Sequence, residues 1–223
     1  MRRLVALAFL LALPAQAAAL DLGLGVQRKA FAGYPIVASV RAGGVANGET
    51  VSVQRLAGAA WKDVAPATIR QERGEAVFTL PKGRVRLRAA VAAEVSPERA
   101  ISVVRARHWT TTGDAGTYRG KAEGARLALK VASGGRRIRD FDTSVTMFCV
   151  GATIPQNHFL VGVAPVKRAR IAPDGRFYTR VEHGSNTVIE LRGRVRHHRV
   201  KGHVRLTVGT CDGVADYGAK LRR

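Results

Sequence analysis

The sequence predicts an all-β protein built from two tandem antiparallel domains, each a β-sandwich or a barrel-like sheet. Apolar and polar side chains alternate over short segments in both halves of the chain, for example at residues 76–80, 126–131 and 204–208. A period of two places successive side chains on opposite faces of a strand, with one face toward a core. Gly-rich turns separate these segments at the short intervals typical of sandwiches and barrels.

Residues 1–19 predict a cleaved secretory signal peptide. Met1 is followed by two arginines, residues 4–13 are an unbroken apolar run, and residues 15–17 (Ala-Gln-Ala) offer small side chains at signal-peptidase spacing. The apolar run is shorter than the ~20 residues that a membrane-spanning helix needs. The expected location is therefore extracellular or the cell envelope, with no membrane span.

The remainder of the chain divides at a polar, Thr-rich and aperiodic segment. We expect a first domain at residues 20–107, a linker at 108–115 and a second domain at 116–223. Apolar residues are 46% of the chain, which is enough for two small cores.

Cys149 and Cys211 are the only cysteines. In an oxidising compartment two lone cysteines are expected to pair, and closing a loop of about 60 residues corresponds to roughly 4 kcal/mol on the chain-entropy model. The alternative is a reactive thiol with His158 as its base, although no cysteine-protease signature surrounds it. Cys211 is out of phase with the apolar positions before it, and a bulge or a strand end at Gly209 would restore the phase.

The formal net charge is +21, and 29 of the 37 cations are arginines. Such a charge attracts cell-wall polymers, acidic polysaccharides, lipid head groups and nucleic acid. Aromatic residues are only 6% of the chain, so the stacking platforms of nucleic-acid modules are scarce and no specific nucleic acid is expected. The alternative is a solvated basic surface without a dedicated partner.

Two rows of arginines are candidate anion-binding sites. One row alternates along a strand of the second domain, with Lys201 and Arg205 beside it, and the other lies in the first domain. The guanidinium fork binds phosphate or carboxylate groups with two hydrogen bonds. The alternative is an outer face with salt bridges to Glu182 or Glu190. The candidate residues are Arg192, Arg194, Arg196 and Arg205, and Arg84, Arg86 and Arg88.

His198 and His203 are the nearest approach to a metal site. If residues 199–202 form a hairpin loop, the two imidazoles face each other across strands. A useful site needs a third or fourth ligand, so we predict a basic hairpin tip with no metal and no cofactor. The chain has no nucleophile elbow, zinc-protease helix or phosphate loop, and we predict no catalytic residue.

Two resemblances extend this prediction. Residues 48–55 (Gly-Glu-Thr-Val-Ser-Val-Gln-Arg), 61–64, 74–78 and 85–89 resemble a bacterial immunoglobulin-like domain, which implies a sandwich. The paired cysteines of antibody domains are missing, so that sandwich would depend on apolar packing. Residues 116–120, 174–177 and 209–211 are similar to an all-β module of secreted proteins from GC-rich bacteria; this resemblance implies no chemistry.

We therefore expect an exported, non-enzymatic interaction module of the cell envelope or extracellular space. The second hypothesis is a binding domain for anionic glycans or cell-wall polymers that uses the arginine rows. The third is a secreted hydrolase. The expected partner is an anionic cell-surface polymer or another envelope protein.

Overall fold

A computed structural model describes residues 20–106, 113–149, 158–162, 166 and 168–222. These residues form strands and turns without a helix, so the predicted all-β class is confirmed. The predicted signal peptide and residues 108–112 of the predicted linker lie outside the described residues. Within the described ranges, no helix is long and apolar enough to cross a bilayer.

The first nine strands form a sandwich of two sheets. One sheet has the order β1-β3-β6, and the other has the order β2-β9-β7-β4-β5 with β8 beside β7. This distribution of strands is that of an immunoglobulin-like sandwich. The strands are β1 (Asp21–Gly25), β2 (Lys29–Phe31), β3 (Ile36–Gly43), β4 (Thr50–Ala57), β5 (Ala60–Thr68), β6 (Arg73–Phe78), β7 (Gly83–Val91), β8 (Glu94–Val95) and β9 (Arg99–Val104).

One pair of strands departs from the predicted antiparallel arrangement. β2 runs parallel to β9, whereas β1 runs antiparallel to β3 in the other sheet. No strand runs back between β1 and β2, so the chain leaves the first sheet at residues 26–28 and joins the second.

Alternation along the strands builds the sandwich core. β3 shows it most clearly, because Ile36, Ala38, Val40 and Ala42 are fully or almost fully buried and the residues between them are not. The opposing sheet contributes further small and β-branched side chains to the same cluster, which contains no disulfide. Its largest members include Leu24, Ile36, Ile69, Phe78, Leu80, Leu87 and Ile101.

The last ten strands form a nearly closed barrel. The sheet order is β15-β12-β11-β10-β19-β18-β17-β16, and a bridge between Ile171 and Phe177 joins its two ends. β13 lies off this path and pairs with both β14 and β19. The strands are β10 (Gly116–Ala122), β11 (Ala125–Val131), β12 (Arg137–Asp142), β13 (Ser144–Cys149), β14 (His158–Gly162), β15 (Ala169–Arg170), β16 (Arg176–His183), β17 (Thr187–Arg196), β18 (Arg199–Val208) and β19 (Cys211–Leu221).

Side chains fill the interior of the barrel. The buried cluster includes Tyr118, Phe141, Met147, Leu191 and Tyr217. The Tyr118 hydroxyl lies 2.8 Å from the carbonyl oxygen of Asp114 and 2.9 Å from that of His197, and it donates its proton to this pair of acceptors. Burial, followed by the negative charge of Asp114, raises the pKa of Tyr118 to about 12, so the hydroxyl remains a donor.

The predicted disulfide is confirmed. Cys149 on β13 and Cys211 on β19 are directly opposite each other and are bonded through their sulfur atoms. Of the two predicted alternatives at Gly209, the structure has the strand end and not the bulge, because β18 ends at Val208. Val208 pairs with Cys211, so Gly209 is the first residue of a two-residue turn, where its φ of 57° suits glycine. Cys211 therefore starts a new strand and takes the phase of that strand's inward residues.

Candidate functional site

Four neighbouring strands of the barrel, β16 to β19, carry polar side chains in cross-strand rows on their outer face. Pairing between the strands defines five rows, numbered from the disulfide end of β19. Row 1 is Glu182, Val188, Thr207 and Asp212; row 2 is Arg180, Glu190, Arg205 and Val214; row 3 is Tyr178, Arg192, His203 and Asp216; row 4 is Arg176, Arg194, Lys201 and Gly218; row 5 is Arg196, Arg199 and Lys220.

Arginine and carboxylate are matched in rows 1 and 2. Arg205 donates two hydrogen bonds to Asp212, of 2.9 Å from Nε to Oδ1 and 2.6 Å from Nη2 to Oδ2, and Thr207 donates a third of 3.0 Å. Burial acts to raise the pKa of Asp212. The hydrogen bonds and charge of Arg205, the Thr207 hydroxyl and the charge of Arg70 outweigh it, and the pKa of Asp212 stays below its ordinary value.

Glu190 and Asp216 also have side-chain partners, in rows 2 and 3. Glu190 accepts hydrogen bonds from the Tyr178 hydroxyl at 3.1 Å and from Arg180 at 3.3 Å. Burial, followed by the charge of Glu190, raises the pKa of Tyr178 far above its ordinary value. The Nδ1 atom of His203 lies 2.8 Å from Oδ1 of Asp216. Rows 1 to 3 are therefore close to electrically balanced.

The sandwich contacts the barrel on these balanced rows. Arg192 in row 3 forms an ion pair with Glu75 of β6, and Asp212 in row 1 lies 3.4 Å from Nη1 of Arg70. Between the outer face of the β1-β3-β6 sheet and the barrel lies a cleft of about 1110 Å³ that both surfaces line. The balanced rows thus form the floor of the cleft.

Rows 4 and 5 carry an excess of positive charge, and we call them the basic patch. Its members are Arg176, Arg194, Lys201, Arg196, Arg199 and Lys220. Arg194 is directly opposite both Arg176 and Lys201, and like charges placed opposite each other destabilise a sheet. Burial and the positive charges of Arg196 and Arg176 lower the pKa of Arg194.

Little within the described part of the chain offsets this charge. Arg176 forms a 3.2 Å ion pair with Asp174, and Arg194 donates a 2.9 Å hydrogen bond to the Asp174 carbonyl oxygen. Among the described residues no carboxylate forms an ion pair with the other four cations of the patch, which are Lys201, Arg196, Arg199 and Lys220. The patch is therefore able to accept external anions.

The structure divides the predicted arginine row of the second domain. Arg192, Arg194 and Arg196 share one face of β17, as alternation requires. Arg192 and Arg205 lie in the balanced rows and already have carboxylate partners. Arg194 and Arg196 lie in the basic patch.

The predicted row in the first domain lies on β7, a strand that contributes no residue to the lining of the cleft. Arg86 donates a 2.6 Å hydrogen bond from Nε to Glu98. Arg88 donates a 2.9 Å hydrogen bond to Gln54, and its guanidinium carbon lies 4.3 Å from the ring centroid of Trp61. Arg84 is exposed, so one of the three predicted residues remains open to a ligand.

The two histidines do not face each other, and the predicted loop at 199–202 is wrong. Arg196 pairs with Arg199, so the turn is His197-His198, with a φ of 47° at His197. His198 lies 2.5 Å from the Asp114 carboxylate, whereas His203 is on β18 opposite Arg192. Within the described ranges, no group of three or more His, Cys, Asp or Glu side chains could hold a metal ion.

Comparison with known proteins finds similarity to solved structures. No protein-family model and no curated protein matches the chain. A solved structure described as a marsupial T cell receptor is 11% identical over 92% of this chain and 94% of that one, with a TM-score of 0.32. The immunoglobulin-like assignment of the sandwich rests instead on its strand order.

Proposed function

We propose that this protein is an exported, non-enzymatic binding module whose basic patch holds an anionic glycan or another anionic cell-wall polymer. The observation that carries the proposal is the direct opposition of like charges in rows 4 and 5, next to rows in which every arginine has a carboxylate partner. A bound polyanion would offset the repulsion that the fold otherwise tolerates.

The geometry of the patch suits a ligand with repeated charges. Neighbouring strands are about 4.8 Å apart, and alternate residues on one strand are about 6.6 Å apart, so the cations form a regular lattice. Four of its six members are arginines, and each guanidinium can bind a carboxylate or phosphate with two hydrogen bonds. A linear polymer can engage several members at once.

Two further observations support export. Residues 1–19 have the sequence pattern of a signal peptide, and a disulfide persists in oxidising compartments. The resemblance of the second domain to a module of secreted proteins from GC-rich bacteria agrees with this location. An envelope protein with an acidic surface is the second candidate partner, because it would present the same carboxylate chemistry.

Retention on immobilised polygalacturonate and polyphosphate at increasing salt tests the proposal. We expect wild-type retention to fall steeply as the salt concentration rises. The triple variant Arg194→Gln, Arg196→Gln and Arg199→Gln should elute at lower salt, and its retention should depend less steeply on the salt concentration. The matched control is Lys29→Gln, Lys62→Gln and Lys82→Gln, which removes the same charge from exposed positions of the sandwich. Circular dichroism of each variant establishes that it is folded.

The outcomes separate the hypotheses. Equal loss of retention in both triple variants means that the total charge, not the patch, binds the matrix, and the proposal fails. Tighter retention on duplex DNA than on either polymer at the same salt assigns the patch to nucleic acid. Shortening of the polymer during incubation contradicts the non-enzymatic part of the proposal, which predicts recovery at its original length.

A further inference from the structure

The cleft between the sandwich and the barrel continues toward the basic patch. A second cavity of about 700 Å³, lined in part by Arg176, Arg194 and Lys201, adjoins the cleft of about 1110 Å³. The two share lining residues that include Arg192 and its partner Glu75. Together they form one trough that begins at the basic patch and passes over the balanced rows.

At the far end of the trough lies the turn between β5 and β6. Gln71 and Glu72 have φ values of 50° and 61°, in the left-handed region that favours glycine and asparagine. Two neighbours hold this turn: the Asn47 side chain accepts a 2.6 Å hydrogen bond from the Gln71 amide, and the Glu72 carbonyl accepts one of 2.9 Å from the Ala42 amide. Strained backbone that is held in this way is frequent at binding sites.

This turn, like the basic patch, places positive charges directly opposite each other. Arg70 is bridged to Arg73, and Arg73 is directly opposite Arg41 of β3. All three, which we call the turn arginines, are exposed and line the cleft. Asp21 and Asp212 offset part of their charge, through contacts of 3.3 Å to Arg41 and 3.4 Å to Arg70.

We infer that the turn arginines are a second contact for the same linear polyanion, which runs through the trough from one basic cluster to the other. This inference rests on the proposed function of the basic patch. The balanced rows between the clusters already satisfy their own arginines, so the two ends of the trough provide most of the attraction. The ligand class is a polymer with carboxylate or phosphate groups that exceeds a minimum length.

The pairing of the barrel strands gives the minimum length of the polymer. Arg70 contacts Asp212 in row 1, and Val188 of the same row is eight residues before Arg196 of row 5 on β17. At about 3.3 Å per residue this separation is about 26 Å. A shorter anion reaches one cluster at a time, whereas a longer chain engages both and gains from the high effective concentration of its second end.

A length series tests the inference. Dissociation constants are measured for tripolyphosphate and for a linear polyphosphate much longer than the trough. Both are expressed per phosphate group, so that the two chain lengths are compared on the same basis. We expect wild type to bind the long chain about tenfold or more tightly than the short one. The double variant Arg41→Gln and Arg73→Gln should lose this gain but keep its affinity for the short chain, and it leaves the pair between Arg70 and Asp212 intact.

Two further variants distinguish the possible failures. Arg196→Gln with Arg199→Gln should weaken binding of both chains, and the control Lys62→Gln with Lys82→Gln, which removes the same charge, should weaken each of them much less. If Arg41→Gln with Arg73→Gln keeps the full gain, the inference is wrong although the basic patch still binds. If the row 5 variant binds like wild type, the proposed function itself is wrong. Repeating the series with galacturonate trimer and polygalacturonate shows whether carboxylate or phosphate is preferred.

Discussion

The phenolic hydroxyl of Tyr217 donates a 2.9 Å hydrogen bond to the backbone carbonyl of Arg192. Tyr217 is buried in the barrel, with its ring edge-to-face against Phe141 at a centroid distance of 5.3 Å. Burial raises the pKa of Tyr217 well above its ordinary value, so the hydroxyl remains a donor. A core side chain therefore fixes the strand from which Arg192 reaches Glu75 on the sandwich.

Replacement of Tyr217 by Phe tests this support. The variant keeps the ring but loses the hydrogen bond, and we expect the barrel to lose about 1 kcal/mol of unfolding free energy, measured by urea denaturation. Tyr178→Phe is a useful comparison, because its hydroxyl bonds the Glu190 side chain instead of the backbone. No change in the Tyr217→Phe variant would show that the bond does not contribute to stability.

Gly202 is expected to be intolerant of any side chain. A Cβ atom there would collide with the Tyr217 hydroxyl and with the Arg192 carbonyl oxygen, neither of which can move away freely. We expect Gly202→Ala to lower the unfolding free energy by about 1–3 kcal/mol. Gly218→Ala on the neighbouring strand is the matched control, because a Cβ there meets no atom within 4 Å. Equal stability of the two variants contradicts this explanation.

The disulfide is expected to stabilise the barrel but not the sandwich. Cys149 and Cys211 are 62 residues apart, and both lie in barrel strands. Replacing both by Ser should lower the unfolding free energy of the barrel by about 2–4 kcal/mol. Hydrogen exchange in strands β3 and β7 serves as the internal control and should be unchanged. Faster exchange in these strands would mean that the two halves unfold together.

Stability should also depend on the ionisation of Asp212. Its pKa is lower in the folded protein than in the unfolded chain, so its contribution is complete above the unfolded value of about 3.9. The contribution is lost as the pH falls through the lower, folded pKa. We expect Asp212→Asn to be less stable than wild type at neutral pH, and the difference to shrink on acidification. A difference that persists at the lowest pH would mean that packing, not charge, is responsible.

Local alternation was sufficient to predict the all-β class and the shared face of Arg192, Arg194 and Arg196, and the presence of only two cysteines was sufficient to predict the disulfide. Alternation could not show which of these arginines is neutralised by a carboxylate. Glu75, which neutralises Arg192, is 117 residues away in the chain and in the other half of the molecule. The loop predicted at residues 199–202 failed for a related reason: Gly202 indicates a turn by composition, but it is required by the Tyr217 ring from the adjacent strand.

Glu75→Gln is expected to increase binding of polyanions. The change frees Arg192 in the middle of the trough and removes a carboxylate that competes with the ligand. We predict a severalfold lower dissociation constant for long polyphosphate. The slope of the logarithm of the binding constant against the logarithm of the salt concentration should be steeper by about one, because one more cation becomes available to the polymer.

Glu98→Gln is the control for this variant. It makes the same charge change and frees Arg86 on β7, a strand that contributes no residue to the lining of the trough. Because the two variants have the same net charge, long-range attraction raises their affinities equally. The difference between them therefore measures the local release of Arg192. Identical dissociation constants for the two variants would show that the polymer does not pass over row 3, and the path through the trough would have to be abandoned.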